Sequence, residues 1–428
     1  MQKILTLLSL FLFVGLSGQT SSTKQSPALV DGMPESQGMS PERLTKIDAM
    51  LQQTILANEL PGAVALIARN GKIIFHKAYG MADGKSRKAM EKDAIFRIAS
   101  QTKAITSTAV LMLWEEGKFK LDDPISKYIP EFGEAQLLDI FSETDSTYTT
   151  KPTKNQITIR DLITHTSGIG YGVIDSDARF KKIYAHAGIT DLFTTEQITI
   201  GESVKKLGKL PLHHEPGENF TYSEGLDVLA YFVEVISGMP FDNFLKMRIF
   251  EPLGMEDTWF YLPKEKHDRL VPVQKKEGNK WVKYPITFYD TDYPIKGAKT
   301  FFSGGAGLSS TAKDYATFLQ LYLNQGELNG VRLLSRTTIS SIMSNQIGAI
   351  WDGDKHYGLA FGLINEKGAA MGGLGSEGTF DWGGYFNTQY FADPKEQLIG
   401  VLLKQTQGPV NDETGWKFRQ MVFAAIDD

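Results

Sequence analysis

Apolar and polar positions alternate along this chain in two rhythms, one helical and one extended. From Ser40, "SPERLTKIDAMLQQTILANEL" sets apolar residues at helical spacing behind a serine N-cap and a proline at the first helical position. That pattern predicts an amphipathic helix. "GAVALIARNGKIIFHKAYG" comes next, two apolar runs rich in β-formers around Asn70-Gly71. Asn-Gly between such runs predicts a tight hairpin. A helix followed by a hairpin predicts an antiparallel sheet with a helix on its face. From Ala104, "AITSTAVLMLWEEGKFKLDDP" predicts a long, largely apolar helix ending near Gly117. Residues 131–156, with "SETDSTYTTKPTKNQ", predict a polar surface insertion.

The middle of the chain, about 158–290, is helical in period: "TIRDLITHTSG", "ESVKKLGKL", "EGLDVLAYFVEVISG" and "FDNFLKMRIFEPLG". Strand character returns in "NTQYFADPKEQLIGVLLKQT", which predicts two strands turned at Asp393-Pro394, and "DETGWKFRQMVFAAID" predicts a closing amphipathic helix. Both ends thus supply sheet and helices while the middle supplies helices. The fold class expected is α/β plus all-α. An antiparallel sheet flanked by helices, about 39–105 and 290–428, is interrupted by an inserted helical part, about 106–289. No internal repeat is visible.

At 428 residues the chain can bury a large core, and 42% hydrophobic with 22% charged residues excludes global disorder. A net charge of −5 leaves no basic excess for phosphates, which argues against nucleic acid as a partner. The absence of cysteine removes disulfides, thiolate metal sites, cysteine nucleophiles and lipid attachment through cysteine. Lys3, then "ILTLLSLFLFVGL", then small residues Gly15, Ser17 and Gly18 before polar "QTSSTKQS", form the three regions of a secretory signal peptide. Cleavage near Gly18 is expected to release a secreted or periplasmic chain starting at Gln19, loose to about residue 38. The alternative is a retained N-terminal anchor. No later segment is long and apolar enough to span a bilayer.

The question of chemistry starts at "IASQTKAITS", where Lys103 stands three residues after Ser100 in an otherwise apolar or small run. If a helix starts there, the two share a face and the helix N-terminus adds positive potential. A desolvated lysine there would be held toward its neutral amine, a usable base, and serine is a weak nucleophile until a base adjoins it. S-x-x-K is also frequent by chance, and "SVKK" at Ser203–Lys206 fits it equally. A Ser-His-Asp arrangement is disfavoured because no G-x-S-x-G occurs. "GLGSEG" (Gly373–Gly378) matches a dinucleotide fingerprint, but the adjoining "TFDWGGYFNT" reads as strand and turn rather than a helix, so no cofactor is expected. The histidines are scattered, His213 and His214 diverge, and no metal is expected. His165 in "THTSG" reads as a loop tie. Tyr222 and Trp382-Gly383-Gly384 stand before a helix and at a strand start, and alone each is explained by packing or backbone needs.

Together and in order, these segments resemble the serine β-lactamase and penicillin-binding-protein-like hydrolases. The resemblance is to class C β-lactamase-like enzymes and, more closely, to the family VIII carboxylesterases. "SQTK" is followed by "GKFKLDDPISKYIPEF", "ITIRDLITHTSGI", "PGENFTYSEGLDVLAYFVEVISG", "IFEPLGMEDTWF" and "GAGLSSTAKDYATFLQLYL", covering about residues 35–425. The resemblance implies an α/β domain and an all-α domain with a cleft between them. It implies Ser100 as nucleophile, Lys103 as its base partner and Tyr222 as the proton relay. It also implies an oxyanion hole from the N–H groups of Ser100 and Tyr385, and substrate contacts from Glu224, Trp382, Gly383 and Gly384. Two departures stand out. The family's Tyr-x-Asn is Tyr222-Ser223-Glu224 here, and the cation of the third motif is Trp382. Both favour a neutral ester as the small-molecule substrate over a β-lactam or peptidoglycan peptide. A non-catalytic cell-wall-ligand binder on the same scaffold is the alternative of another class, against which the joint presence of Ser100, Lys103 and Tyr222 speaks.

Overall fold

The computed structural model describes residues 20–22, 25–408 and 412–428. The expected signal peptide, residues 1–18, lies outside them. Helix α1 (Pro41–Leu56) begins as the sequence requires, with Pro41 in its first turn and the Ser40 hydroxyl accepting from the Arg43 N–H. Its Leu44, Ile47 and Leu51 are buried at helical spacing. Burying each contributes roughly 1.5–3 kcal/mol.

Strand β1 is Val30–Asp31, and β2 (Gly62–Arg69) and β3 (Lys72–Asp83) form the hairpin, turned at Asn70 (φ 53°) and Gly71 (φ 75°). Those two positive φ values are what Asn-Gly tolerates best. A short β4 (Lys88–Ala89) pairs with β3. The remaining strands come from the far end of the chain: β5 (Lys355–Tyr357), β6 (Gly362–Ile364), β7 (Phe380–Gly384), β8 (Thr388–Asp393) and β9 (Leu398–Leu403). They join in the order β5-β6-β7-β8-β9-β2-β3-β1, antiparallel except that β1 runs parallel to β3. The central seam pairs Leu398 with Arg69 and Leu403 with Val64.

β2 and β9 are buried along their whole length, so both faces of the sheet are covered. On one face α1 packs against α6 (Thr414–Ala424) over an apolar cluster that includes Ile47, Leu51, Phe391, Phe418 and Val422. The two chain ends are tied there by Arg69, whose guanidinium reaches Asp428 at 2.9 Å and Glu396 at 3.1 Å. On the other face lies the main core, built around α2 (Thr102–Glu115), α4 (Gly225–Ser237) and α5 (Ala312–Leu323).

The helical middle contains more than helices. Residues 131–156 contain an exposed hairpin, Gln136–Phe141 with Tyr148–Pro152, and a second hairpin joins Gln274–Glu277 to Lys280–Lys283. "TIRDLITHTSG" forms only the short α3 (Ile159–Ile163), with a Thr158–Asp161 capping box at its start and His165 in a left-handed conformation (φ 60°) beyond its end. Among the described residues, no single helix is long and apolar enough to cross a membrane.

Candidate active site

Ser100 lies in a single 3₁₀ turn, Ala99–Gln101, that leads from the short strand Phe96–Arg97 into α2. Ala99 adopts φ 43°, a conformation costing an alanine about 1–2 kcal/mol. It is over-determined on both sides: before it Phe96 and Arg97 pair with Ser310 and Ser309 and the Ile98 N–H donates to the Leu308 carbonyl at 3.0 Å, and after it the Gln101 carbonyl accepts from the Tyr315 hydroxyl at 3.0 Å. Ser100 is half-buried, whereas Lys103, on the first turn of α2, is 2% exposed. Lys103 Nζ donates to the Gly305 carbonyl at 2.7 Å and lies 3.4 Å from Ser100 Oγ. It also sits 4.5 Å from the ring centroid of Tyr222 and 5.5 Å from that of Tyr171. The spacing that is ambiguous in sequence is resolved here. At the competing "SVKK", Ser203 instead exchanges hydrogen bonds with the backbone of Thr190, and Lys206 donates to the Gly188 carbonyl.

Tyr222 precedes α4 and is wedged by aromatic neighbours, with ring centroids at 4.8 Å for His165, 5.5 Å for Tyr171 and 5.9 Å for Trp382. The Trp382 indole N–H points to the Tyr222 phenol oxygen at 3.4 Å. The Ser223 N–H donates to His165 Nδ1 at 3.2 Å, which places the imidazole proton on Nε2. Burial, and then the charge of Lys103, hold His165 well below the usual histidine range, so it stays neutral and buttresses Tyr222. The other histidines of interest stand elsewhere: His213 stacks on Phe180 beside Asp175, and His214 bonds Thr221 and the Glu215 carbonyl.

Strand β7 brings Gly383 and Gly384 against the serine turn. A Cβ on Gly384 would lie 2.4 Å from the Ile98 carbonyl oxygen, so only glycine lets the strand come this close. Tyr385 is the next residue, its carbonyl taken by the Gln407 side chain, while the Phe386 carbonyl accepts from the Thr406 N–H at 3.1 Å. Ser100, Lys103, Tyr222 and Trp382 therefore converge, with Gly384 against the turn that carries Ser100, and Gly383 and Tyr385 flank Gly384 in sequence.

Glu224 does not join them as a substrate contact. It is 3% exposed at the start of α4 and belongs to a buried acidic group with Asp191 and Asp227. Burial, and then the charges of Asp191 and Asp227, push Glu224 well above the usual carboxylate range. The same burial pushes Asp191 up to about 6. Tyr171, Asp191, Asp227 and Gly305 are site residues that no sequence motif singles out. One signal is present: Asp227 is an acid inside the otherwise apolar start of "GLDVLAYFVEVIS". Among the described residues no group of three or more His, Cys, Asp or Glu has the arrangement of a metal site.

A buried lysine beside a half-buried serine, a phenol within the same cluster and a glycine strand edge against the serine's own turn are the parts of a nucleophilic hydrolase. The family model named Beta-lactamase matches residues 47–422. The chain belongs to the β-lactamase family. Esterase EstB of Burkholderia gladioli is 30% identical over 84% of this chain and 90% of its own length. Lovastatin esterase of Penicillium rubens is 27% identical over 86% and 94%. Among solved structures, EstCE1, described as a hydrolase with promiscuous acyltransferase activity, superposes with a TM-score of 0.76 at 24% identity, covering 90% of this chain and 99% of that one. This member of the β-lactamase family is a serine hydrolase with an α/β fold of mixed sheet and flanking helices.

Proposed function

We propose that the protein is a secreted carboxylesterase working through an acyl-enzyme on Ser100. As Ser100 Oγ bonds to the ester carbonyl carbon, its proton passes to the Lys103–Tyr222 pair, and the N–H groups of Ser100 and Tyr385 receive the oxyanion. The C–O bond to the alcohol then breaks and the alcohol leaves with a proton from Tyr222. Water attacks the acyl carbonyl, gives its proton to the same pair, and the acid departs as Ser100 regains its hydrogen. Oxyanion donors of this kind are typically worth ~10²–10³ in rate.

The observation that supports an ester most is Trp382, an indole aimed at Tyr222 from the strand where related enzymes hold a substrate carboxylate with a cation. Glu224, buried with other acids in place of the family's asparagine amide, supports it further. The names of EstB and lovastatin esterase agree with this reading. The test is covalent: a fluorophosphonate should add once to the wild-type chain and not to Ser100→Ala, which should also lose ester turnover while keeping its circular dichroism. Stoichiometric labelling of Ser100→Ala would assign the nucleophile elsewhere.

A further inference from the structure

Strand β9 ends in Leu402-Leu403, and the chain then buries three polar residues in a row, Lys404, Gln405 and Thr406, with Gln407 half-buried behind them. Polar groups leave water at a cost unless each finds a partner. Here the partners lie on the two segments that lead to Ser100 and carry Tyr385. The Gln405 side-chain oxygen accepts from the Arg97 N–H at 2.8 Å, and its amide nitrogen donates to the Arg97 carbonyl at 3.3 Å. Arg97, three residues before Ser100, is itself immobilised, its guanidinium donating to the Thr291 and Val271 carbonyls at 2.6 and 2.7 Å. One position on, the Thr406 N–H holds the Phe386 carbonyl, and the Thr406 hydroxyl accepts from Asn387 Nδ2 at 3.0 Å. The Gln407 side chain donates to the Tyr385 carbonyl.

The turn Tyr385–Asn387 needs none of these bonds to close. The Asn387 N–H donates to the Gly384 carbonyl at 2.9 Å, and Asn387 takes the left-handed conformation, φ 68°, that ends a three-residue hairpin loop. The additional bonds run outward, to the polar strip and to what backs it. Asn387 Nδ2 also donates to Asp412 at 2.7 Å, and Asp412 pairs with Lys404 Nζ at 2.5 Å, both of those side chains withdrawn from water. A buried ion pair holds only in good geometry with its remaining hydrogen-bonding capacity filled. The Thr414 hydroxyl and Asn387 fill it here, so the turn and the strip are locked to one another.

We propose that Asn387, Gln405 and Gln407 are positioning residues for the hydrolase reaction: the buried strip 404–407 is one frame that sets the Ser100 N–H and the Tyr385 N–H at the separation an oxyanion needs. The proposal rests on the reading of Ser100 as nucleophile and of those two N–H groups as the oxyanion donors. Such donors act only when aimed in advance at the place where charge develops, and a displacement of about 1 Å can cost ~10² in rate. The two donors stand on segments from opposite ends of the chain, one on the turn entering α2 and one at the end of β7. Gly384 brings those segments into contact. The strip fixes how each is turned, because Gln405 grips one and Gln407 the other from only two positions apart.

The experiment compares kcat and KM for a p-nitrophenyl ester with those for its thiono analogue, whose sulfur is a larger and weaker acceptor for a pair of N–H groups. Gln407→Met keeps the side chain's length and removes the donor to the Tyr385 carbonyl. Asn387→Gly keeps the turn's backbone freedom and removes the bonds to Thr406 and Asp412. Each should lower kcat for the oxygen ester by about 10–10² with KM changed by no more than about twofold, and should shrink the preference for oxygen over sulfur in kcat/KM by a similar factor. Arg69→Met, which breaks the contacts between the chain ends and leaves the strip untouched, should lower the melting temperature and leave that preference in place. Gln407→Met, on a half-buried side chain, serves as the readout if Asn387→Gly does not fold. An oxygen preference in Gln407→Met equal to that of the wild type would overturn the proposal. A wild type with no oxygen preference, or a fluorophosphonate adduct on a different serine, would instead overturn the functional reading beneath it.

Discussion

The indole N–H of Trp382 is directed at the phenol oxygen of Tyr222, 3.4 Å away. One residue thereby both orients the Tyr222 phenol and sets an apolar ring beside it. A substrate carboxylate brought there would lose hydration with no ion pair to replace it, a penalty of at least ~1–3 kcal/mol. A short neutral ester meets no such obstacle. We expect kcat/KM for p-nitrophenyl acetate or butyrate to exceed that for nitrocefin by at least ~10². Trp382→Lys should narrow the gap from both sides, lowering ester turnover and raising cephalosporin turnover. Faster hydrolysis of nitrocefin than of every ester offered would make the enzyme a β-lactamase.

Lys103 and Tyr222 lie within one cluster, Nζ 4.5 Å from the ring centroid. Lys103→Ala and Tyr222→Phe should each lower kcat/KM by roughly 10²–10⁴. On the proposed reading, in which they share one proton path, the double variant should lose far less than the product of the two. Steady-state kinetics of the four proteins decide this, and multiplicative losses would mean two independent roles.

His165 is expected to act through packing alone. It is fully buried and neutral, and its Nδ1 accepts from the Ser223 N–H. His165→Ala opens a cavity and strands that N–H, so the chain should lose about 2–4 kcal/mol of stability in urea titrations. The pH profile of the remaining activity should keep its shape. A limb near pH 6–7 that disappears in His165→Ala would show instead that the imidazole titrates during turnover.

Asp191 gives stability a pH dependence of definite sign. Its folded-state value of about 6 stands above the ordinary 3.8, so the folded chain holds this proton more tightly than the unfolded one. The stabilising contribution is full below about pH 4 and is lost as pH rises through about 6, a decline of roughly 1–3 kcal/mol from this group. Thermal melts of Asp191→Asn between pH 4 and 8 should lack that decline. A variant whose melting temperature falls with pH as steeply as that of the wild type would place the titration on another residue.

What the sequence makes legible is whatever local pattern can encode. Ser40-Pro41 and Asn70-Gly71 fix a helix start and a hairpin turn by their own backbone preferences, and both appear where the pattern predicts. S-x-x-K is likewise local, since one helical turn brings Lys103 back to Ser100. The site's other half is made by contacts across the chain. Gly305 meets Lys103 over 202 positions and Trp382 meets Tyr222 over 160, distances that no periodicity reports. The same limit explains Glu224. Tyr222, two positions earlier, lies beside Lys103, but the start of α4 turns Glu224 inward onto Asp191, a partner supplied by another loop.

The seam between β9 and β2 has a consequence for biosynthesis. Leu398 pairs with Arg69, so the strand that completes the sheet leaves the ribosome more than three hundred residues after the strand it must join. Until then the hairpin of β2 and β3 has one unpaired edge, and β7, which presses on the serine turn, has not been made. Contacts of such long range are slow to form and leave sheet edges exposed while they wait. With Ser100 as the proposed nucleophile, its reactivity belongs to the finished chain alone, and a nascent or truncated product carries the serine without the means to use it.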